Sequence, residues 1–472
     1  MTRRRSTRWG GLALACGLLF AQPARAWELE THVGLTNRAA LHSRLDGWLR
    51  AHGLTSGLYD TLSLEPGARR QANDAARYVL DDRSLLDEIS QLDSALGVSP
   101  DGPRQPALAW LLAGAALEGA RMDRVRNHFL DPHAHDGALA EDGSNGSART
   151  RLDAARDGSG SVRGIFTGAN FDGTGLRADR WIDSRDNALS RTHMLDELER
   201  AATAETEPQR RAALARALVC AGSILHVLQA IGDPANARGD FTVNYTIAGA
   251  PLERAALLRY GRSVPEPGVP GAPALVLARF FTSPDGTGLG DEVARSFVSP
   301  GTLPGGAGAL PLPKLSPGPE PHGLLPGPWV KMLATYRRGA DGVHYALPPE
   351  AFAEAVDALL PRIARRSAQV LDFLFTDALE FRLDAGDPLS IRIGAGALGK
   401  GTIALYLETE DGKRTQLIKR DTQGGLPHAE LATAGTTLPV GRSLVAVYRG
   451  LDASGDPIVS TASYSLAPTT DP

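Results

Sequence analysis

Four places in this 472-residue chain carry side chains that could hold a metal ion. They are Thr31-His32, the run Arg126-Asn127-His128-Phe129-Leu130-Asp131-Pro132, His226 within ILHVLQAIGDPANARGDF (residues 224–241), and Glu253 after Pro251-Leu252. Imidazole nitrogen and carboxylate oxygen are ligands that zinc prefers, and a deprotonated chain-terminal amine is another nitrogen donor. Spacing alone does not decide the matter. No tight pair such as HExxH is present, and a lone helix histidine is more often a packed core residue than a ligand. Asp233 before Pro234 suits a turn or helix stop, Asp240 suits a cap, and His133 and His135 read as solvated loop residues.

Helices must position these groups. Apolar spacing predicts helical segments through residues 27–120, with Ala107 to Leu117 a compact Ala/Leu-rich one, and again over 181–203 and 207–231. In the last of these Leu214, Leu218, Ile224, Leu225 and Leu228 supply an apolar face, and Gly232-Asp233-Pro234 stops it. A short helix follows over 251–260, and a long amphipathic one over 349–375. Residues 133–180 and 261–330 are rich in Gly and Pro and read as long loops. Beyond residue 380 short alternating runs such as Thr402-Ile403-Ala404-Leu405-Tyr406-Leu407 are separated by turns, which predicts a small β-sandwich. The expectation is a mainly α chain in three parts: 1–26, a helical domain over 27–380, and a sandwich over 381–472.

The 50 basic and 54 acidic residues nearly cancel to a formal charge of -4, with pI near 6.3. Bulk electrostatics give no reason to expect a stable nucleic-acid complex. Residues 1–26 have a basic start, an apolar run from Leu12 to Phe20, and Ala24-Arg25-Ala26 as a small-x-small site, the pattern of a secretory signal peptide. Cleavage there makes Trp27 the first residue. Lipoprotein cleavage at Cys16 is the alternative, and it would leave the apolar region very short. After cleavage at Trp27 only Cys220 remains, so no intramolecular disulfide forms. No later segment approaches the length of uninterrupted apolar sequence that spans a bilayer. The expected product is a periplasmic or secreted monomer.

On these motifs the chain resembles the zinc-dependent phospholipase C and single-strand nuclease superfamily, helical secreted phosphodiesterases whose mature chain begins at a metal-binding tryptophan. The resemblance covers roughly residues 27–380. It implies Trp27, His32, His128 and His226 as zinc ligands, with Glu253 as a weaker one; Glu118, Asp233 and Asp240 are carboxylates that local recruitment could add to complete a site. One to three zinc ions and a phosphodiester substrate come with it. Sparse aromatics disfavour a nucleobase-stacking cleft, which puts a phospholipid head group ahead. The chain also departs from the pattern. Ala230 stands where relatives carry a metal-bridging aspartate, Asn236 where they carry a histidine, Gly119 where they carry an aspartate, and Gly249 near another histidine position. Two cations held close without a bridging carboxylate repel strongly in a low-dielectric pocket, which argues against a full three-zinc centre. Two outcomes follow: a secreted zinc-dependent phosphodiester hydrolase of phospholipase C type with its catalytic groups unassigned, or a member that has lost its chemistry and serves as a binding or envelope protein.

Overall fold

The computed structural model describes residues 29–64, 82–90, 104–120, 122–130, 176–240, 251–267, 276–303, 317–377, 379–383, 390–432 and 442–465. The leader with Cys16, Trp27, His133, His135 and Gly249 lie outside the described residues, as do residues 133–175 of the first expected loop. In chain order the described helices are α1 (Leu29–His42), α2 (Leu45–Ala51), α3 (Asp82–Ser90), α4 (Ala107–Ala120), α5 (Met122–Val125), α6 (Ala178–Trp181), α7 (Arg191–Thr203), α8 (Glu207–Ala230), α9 (Pro234–Ala237), α10 (Pro251–Arg259), α11 (Ala278–Phe281), α12 (Leu289–Ser296) and α13 (Pro349–Leu374).

The body is built around α8. Between Ala217 and Ala230 every residue of this helix is buried, and a helix apolar on all sides belongs in an interior. Helices α1, α4, α7 and α13 pack around it. By length and composition α8 is also apolar enough to cross a bilayer, which the sequence reading did not expect of any segment after the leader. Its 18-residue apolar stretch is 94% buried inside the molecule, so its apolarity serves the core. The start is set by Pro208 in the first turn and by Gln209, whose Oε1 accepts the Thr206 N–H at 3.4 Å. The stop comes at Gly232, after which Asp233 caps α9.

Two glycines fix how closely α4 and α8 approach. A Cβ at Gly114 would lie 1.9 Å from the Val219 carbonyl oxygen, and one at Gly222 would lie 2.0 Å from that of Leu111. Any side chain at either position would force the helices apart. Because residues four apart share a helix face, Glu118 and His226 follow these two glycines by one turn and reach across the same crossing, Glu118 to Ser223 and His226 to the Ala115 carbonyl.

Strands β1 (Thr61–Ser63) and β2 (Arg104–Pro106) form a small antiparallel pair beside α8. The second Pro/Gly-rich region, read as loop over 261–330, holds α11, α12 and the first strand of a three-stranded meander, β3 (His322–Leu325), β4 (Ala334–Gly339) and β5 (Gly342–Ala346). Sequence reading assigned no strands there, since these are short and largely exposed. The change to a C-terminal sheet falls after α13, with β6 (Glu380–Leu383), β7 (Ser390–Glu408), β8 (Arg414–Ala432), β9 (Ser443–Leu451) and β10 (Pro457–Ser465).

These five strands are antiparallel neighbours in one sheet, where the sequence reading expects a sandwich of two. Strand β7 is the reason. Its first residues pair with β6 and its last eight with β9, while β8 runs alongside with register shifts between Gly394 and Leu398, Leu398 and Lys400, and Leu405 and Tyr406. Among the described residues one irregular strand therefore joins what would otherwise be separate layers. Period-2 alternation sorts its faces. Ala404, Tyr406, Val445 and Val447 join the helical core, whereas Ile403, Leu405, Leu444, Ala446 and Tyr448 form a second apolar cluster. Arg191 ties sheet to body by bonding Asp183 at 2.7 Å and Asp456 at 2.8 Å, and Arg210 does so through Glu408 at 2.9 Å.

Candidate functional site

The helix crossing brings three of the predicted histidines together. His32 on α1 stacks on His226 of α8, with ring centroids 3.5 Å apart and 19° between planes. His128, from the segment after α5, lies tilted beside His226 with centroids 5.0 Å apart. All three are buried. The His128 segment is held by backbone bonds from Leu130 N to Asn236 O at 2.9 Å and from Ala178 N to Phe129 O at 3.0 Å.

Each ring is anchored through one nitrogen. His226 Nδ1 donates to the Ala115 carbonyl at 2.7 Å, and His32 Nδ1 donates to Gln229 Oε1 at 2.8 Å. Gln229 in turn donates to Thr36 at 3.0 Å and to Ser367 at 3.4 Å, which ties α1, α8 and α13 to one amide. His128 Nε2 donates to Glu118 at 3.2 Å, and its Nδ1 has no hydrogen-bond partner among the described residues.

Glu118 organises the other side of the cluster. Its carboxylate accepts from Arg124 at 2.8 Å, Ser223 at 2.7 Å, Trp181 at 2.7 Å and His128 at 3.2 Å. Burial by itself would raise its pKa, but the Arg124 guanidinium, with His128 and Trp181 adding hydrogen bonds, holds it down from 4.5 to about 2. It is an anion whose acceptor positions are taken by protein donors.

The remaining predicted ligands lie elsewhere or outside the described residues. Asp233 caps α9 through the Ala235 N–H at 2.7 Å. Asp240 accepts from Ser299 Oγ at 2.6 Å and Gly301 N at 2.7 Å, so it closes the turn at 300–302. Both do what turn chemistry asks of them. Glu253 is buried in α10, which packs on α1 and α13. Trp27 falls outside the described residues.

The positions that depart from the family pattern are filled rather than empty. An ideal Cβ at Gly119 would stand 2.5 Å from His226 Cε1 and 3.1 Å from its Nε2, so the imidazole takes the room an aspartate there would need. Ala230 and Asn236 are fully buried, and the Asn236 carbonyl serves as the anchor for Leu130.

Zinc fits this arrangement in ligand type and not in grouping. Anchored, buried imidazoles are what a zinc site uses, but among the described residues no group of three or more His, Cys, Asp and Glu side chains is placed to hold a metal ion. What the cluster does is satisfy polar groups inside an apolar core. Four participants escaped sequence reasoning: Arg124, Trp181, Ser223 and Gln229. Ser223, His226 and Gln229 recur every three residues as the polar stripe of an otherwise apolar helix, a signal that could have found two of them. Arg124 and Trp181 reach Glu118 across loops and leave no local trace.

No family model matches the chain, and no curated protein matches it. Among solved structures, the alpha-toxin of Clostridium perfringens avian strain SWCP is similar over 94% of this chain and 99% of its own, at 11% identity and a TM-score of 0.26, a score too low to carry an argument.

Proposed function

We propose that this protein is a phospholipase C-like scaffold that works by binding, its metal centre replaced by a hydrogen-bonded histidine and glutamate core. The observation that carries this reading is the position of His226 against Gly119, where a Cβ would meet the ring at 2.5 Å. The imidazole closes the space in which a ligand carboxylate would stand. Burial supports the same reading: His32, His128 and Glu118 are 0% exposed and His226 is 1% exposed, whereas phosphodiester hydrolysis needs the phosphorus and a water to reach the reacting groups. The leader at 1–26 would deliver such a protein to the periplasm or beyond it.

A second reading is a reduced hydrolase holding one zinc. The unpartnered His128 Nδ1 favours it, since a buried polar atom without a partner costs about 1–3 kcal/mol and a metal would supply one. Metal analysis of the mature protein after zinc loading and gel filtration separates the two. The binding reading expects no retained zinc and no hydrolysis of phosphatidylcholine or single-stranded DNA. About one zinc per chain, lost in His226→Ala, together with phosphodiesterase activity, would overturn it in favour of the hydrolase.

A further inference from the structure

The helical body and the C-terminal sheet enclose a cleft remote in sequence from most of the histidine cluster. It has a volume of about 330 Å³, opens to solvent, and lies where α2, the α7–α8 corner and the end of α13 face strands β7 to β10. Its apolar wall includes Trp48, Leu54, Leu198, Leu214, Leu374 and Val459. Its charged lining is three arginines, Arg210, Arg211 and Arg414, against three carboxylates, Glu207, Asp377 and Glu408, with His52 beside Asp377.

Those charges already have partners. Glu408 accepts from Arg210 at 2.9 Å and from Arg414 at 3.1 Å, and Arg210 also reaches the Ala204 carbonyl at 3.2 Å. Arg211 Nε bonds Glu207 at 2.8 Å, and Asp377 lies 3.4 Å from His52 Nε2. His52 Nδ1 donates to the Trp48 carbonyl at 2.7 Å, and its Nε2 lies 2.7 Å from the Thr461 hydroxyl as well as beside Asp377. A charged ligand entering here would give up its hydration and find no unpaired countercharge. An uncharged ligand with an apolar body would gain by covering the wall, and hydroxyls on the sheet side, Thr461 and the exposed Ser463, offer it hydrogen bonds.

We propose that this cleft is a binding site for an uncharged amphiphile, an apolar chain or ring system ending in a hydroxyl or carbonyl group. The site stands whether or not the histidine cluster holds a metal. Balanced and internally paired charge beside an apolar wall is the pattern of a pocket that selects by shape and hydrogen bonding.

The test uses the full-length protein with N-phenyl-1-naphthylamine, an uncharged dye that brightens in apolar surroundings. Saturable binding is expected, displaced by 1-decanol and displaced at least about tenfold less well by decylamine or decanoate. Ala201→Trp, which projects into the cleft, is expected to weaken dye binding at least about tenfold. Ser463→Trp repeats the test at an exposed strand position that tolerates substitution, and Leu258→Ser, an exposed leucine on α10, serves as the control that leaves binding unchanged. Zinc content is measured on the same variants and is expected not to move, which keeps this site distinct from the histidine cluster. Absence of saturable binding, equal competition by the charged chains, or wild-type dye affinity in both tryptophan variants would overturn the proposal.

Discussion

Glu118 and Asp233 are two buried carboxyls, one near the end of α4 and one just after α8, and their environments push them in opposite directions. Glu118 has four donors around it and sits at about 2. Asp233 has one backbone donor, a second oxygen with no hydrogen-bond partner among the described residues, and the Asp240 carboxylate nearby. Burial first and Asp240 in addition push its pKa up from 3.8 to about 7, against the pull of the Ala235 N–H. Equal burial thus gives opposite protonation preferences, and the count of donors decides between them. Around the Glu118 carboxylate the network of donors is completed, while Asp233 keeps one oxygen without a hydrogen-bond partner among the described residues.

Removing the acceptor from the completed network should cost most. Glu118→Ala leaves Arg124 buried without its carboxylate and also strands Ser223, Trp181 and His128, so a loss of about 3–5 kcal/mol is expected in urea unfolding. A loss below 1 kcal/mol would mean the network contributes little. The pH dependence comes next. Glu118 has a folded pKa below its unfolded one, so its contribution is fully present above about 4.5 and disappears as pH falls toward about 2. Acid unfolding of the wild type should therefore steepen over that window by roughly 3 kcal/mol, since one pKa unit is about 1.4 kcal/mol, and Glu118→Gln should flatten it.

Asp233 predicts the reverse sign. Its folded pKa is raised, so its contribution is present below about 3.8 and is lost as pH rises through about 7. Asp233→Asn keeps a good helix cap and removes the ionisation, so the variant should gain on the wild type between pH 4 and 8 by about 2 kcal/mol, allowing for relaxation around the charge. Parallel stability curves for the two proteins would refute the assignment. The smallest effect is expected at Gly119→Ala. Its methyl must displace the His226 ring, at a cost of about 1–2 kcal/mol, with a shift of the His226 imidazole NMR signals as the specific readout.

The sequence made the helical body legible because its helices are periodic and punctuated. The helix at 207–230 begins at Pro208 and ends at the Gly-Asp-Pro turn, both local signals. His32, His128 and His226 were found because histidine is conspicuous in apolar surroundings, and the motif order placed them near one another. The identity of their partners was not legible. Glu118 meets Ser223, and His226 meets the Ala115 carbonyl, because Gly114 and Gly222 let two helices touch, a relation between residues about a hundred positions apart. Strands β3 to β5 were missed because a half-exposed hairpin built on Arg337-Arg338-Gly339 carries too little apolar alternation to stand out. The sandwich expectation is not confirmed: among the described residues β7 is shared along its length, which local sequence does not reveal, since pairing partners are chosen by long-range register and each run looks alike from within.

The glycine contact between α4 and α8 also has a bearing on how this core could change over time. With both backbones touching at Gly114 and Gly222, the spacing of the two helices cannot widen to admit a new group one turn away. A single substitution that placed an acid at position 119 would therefore arrive in a seat already taken by His226, and a second change freeing that ring would leave the Ala115 carbonyl bare if it came first. Either order passes through a less stable intermediate. The crossing thus stands in the way of single steps that would place an acid beside these histidines.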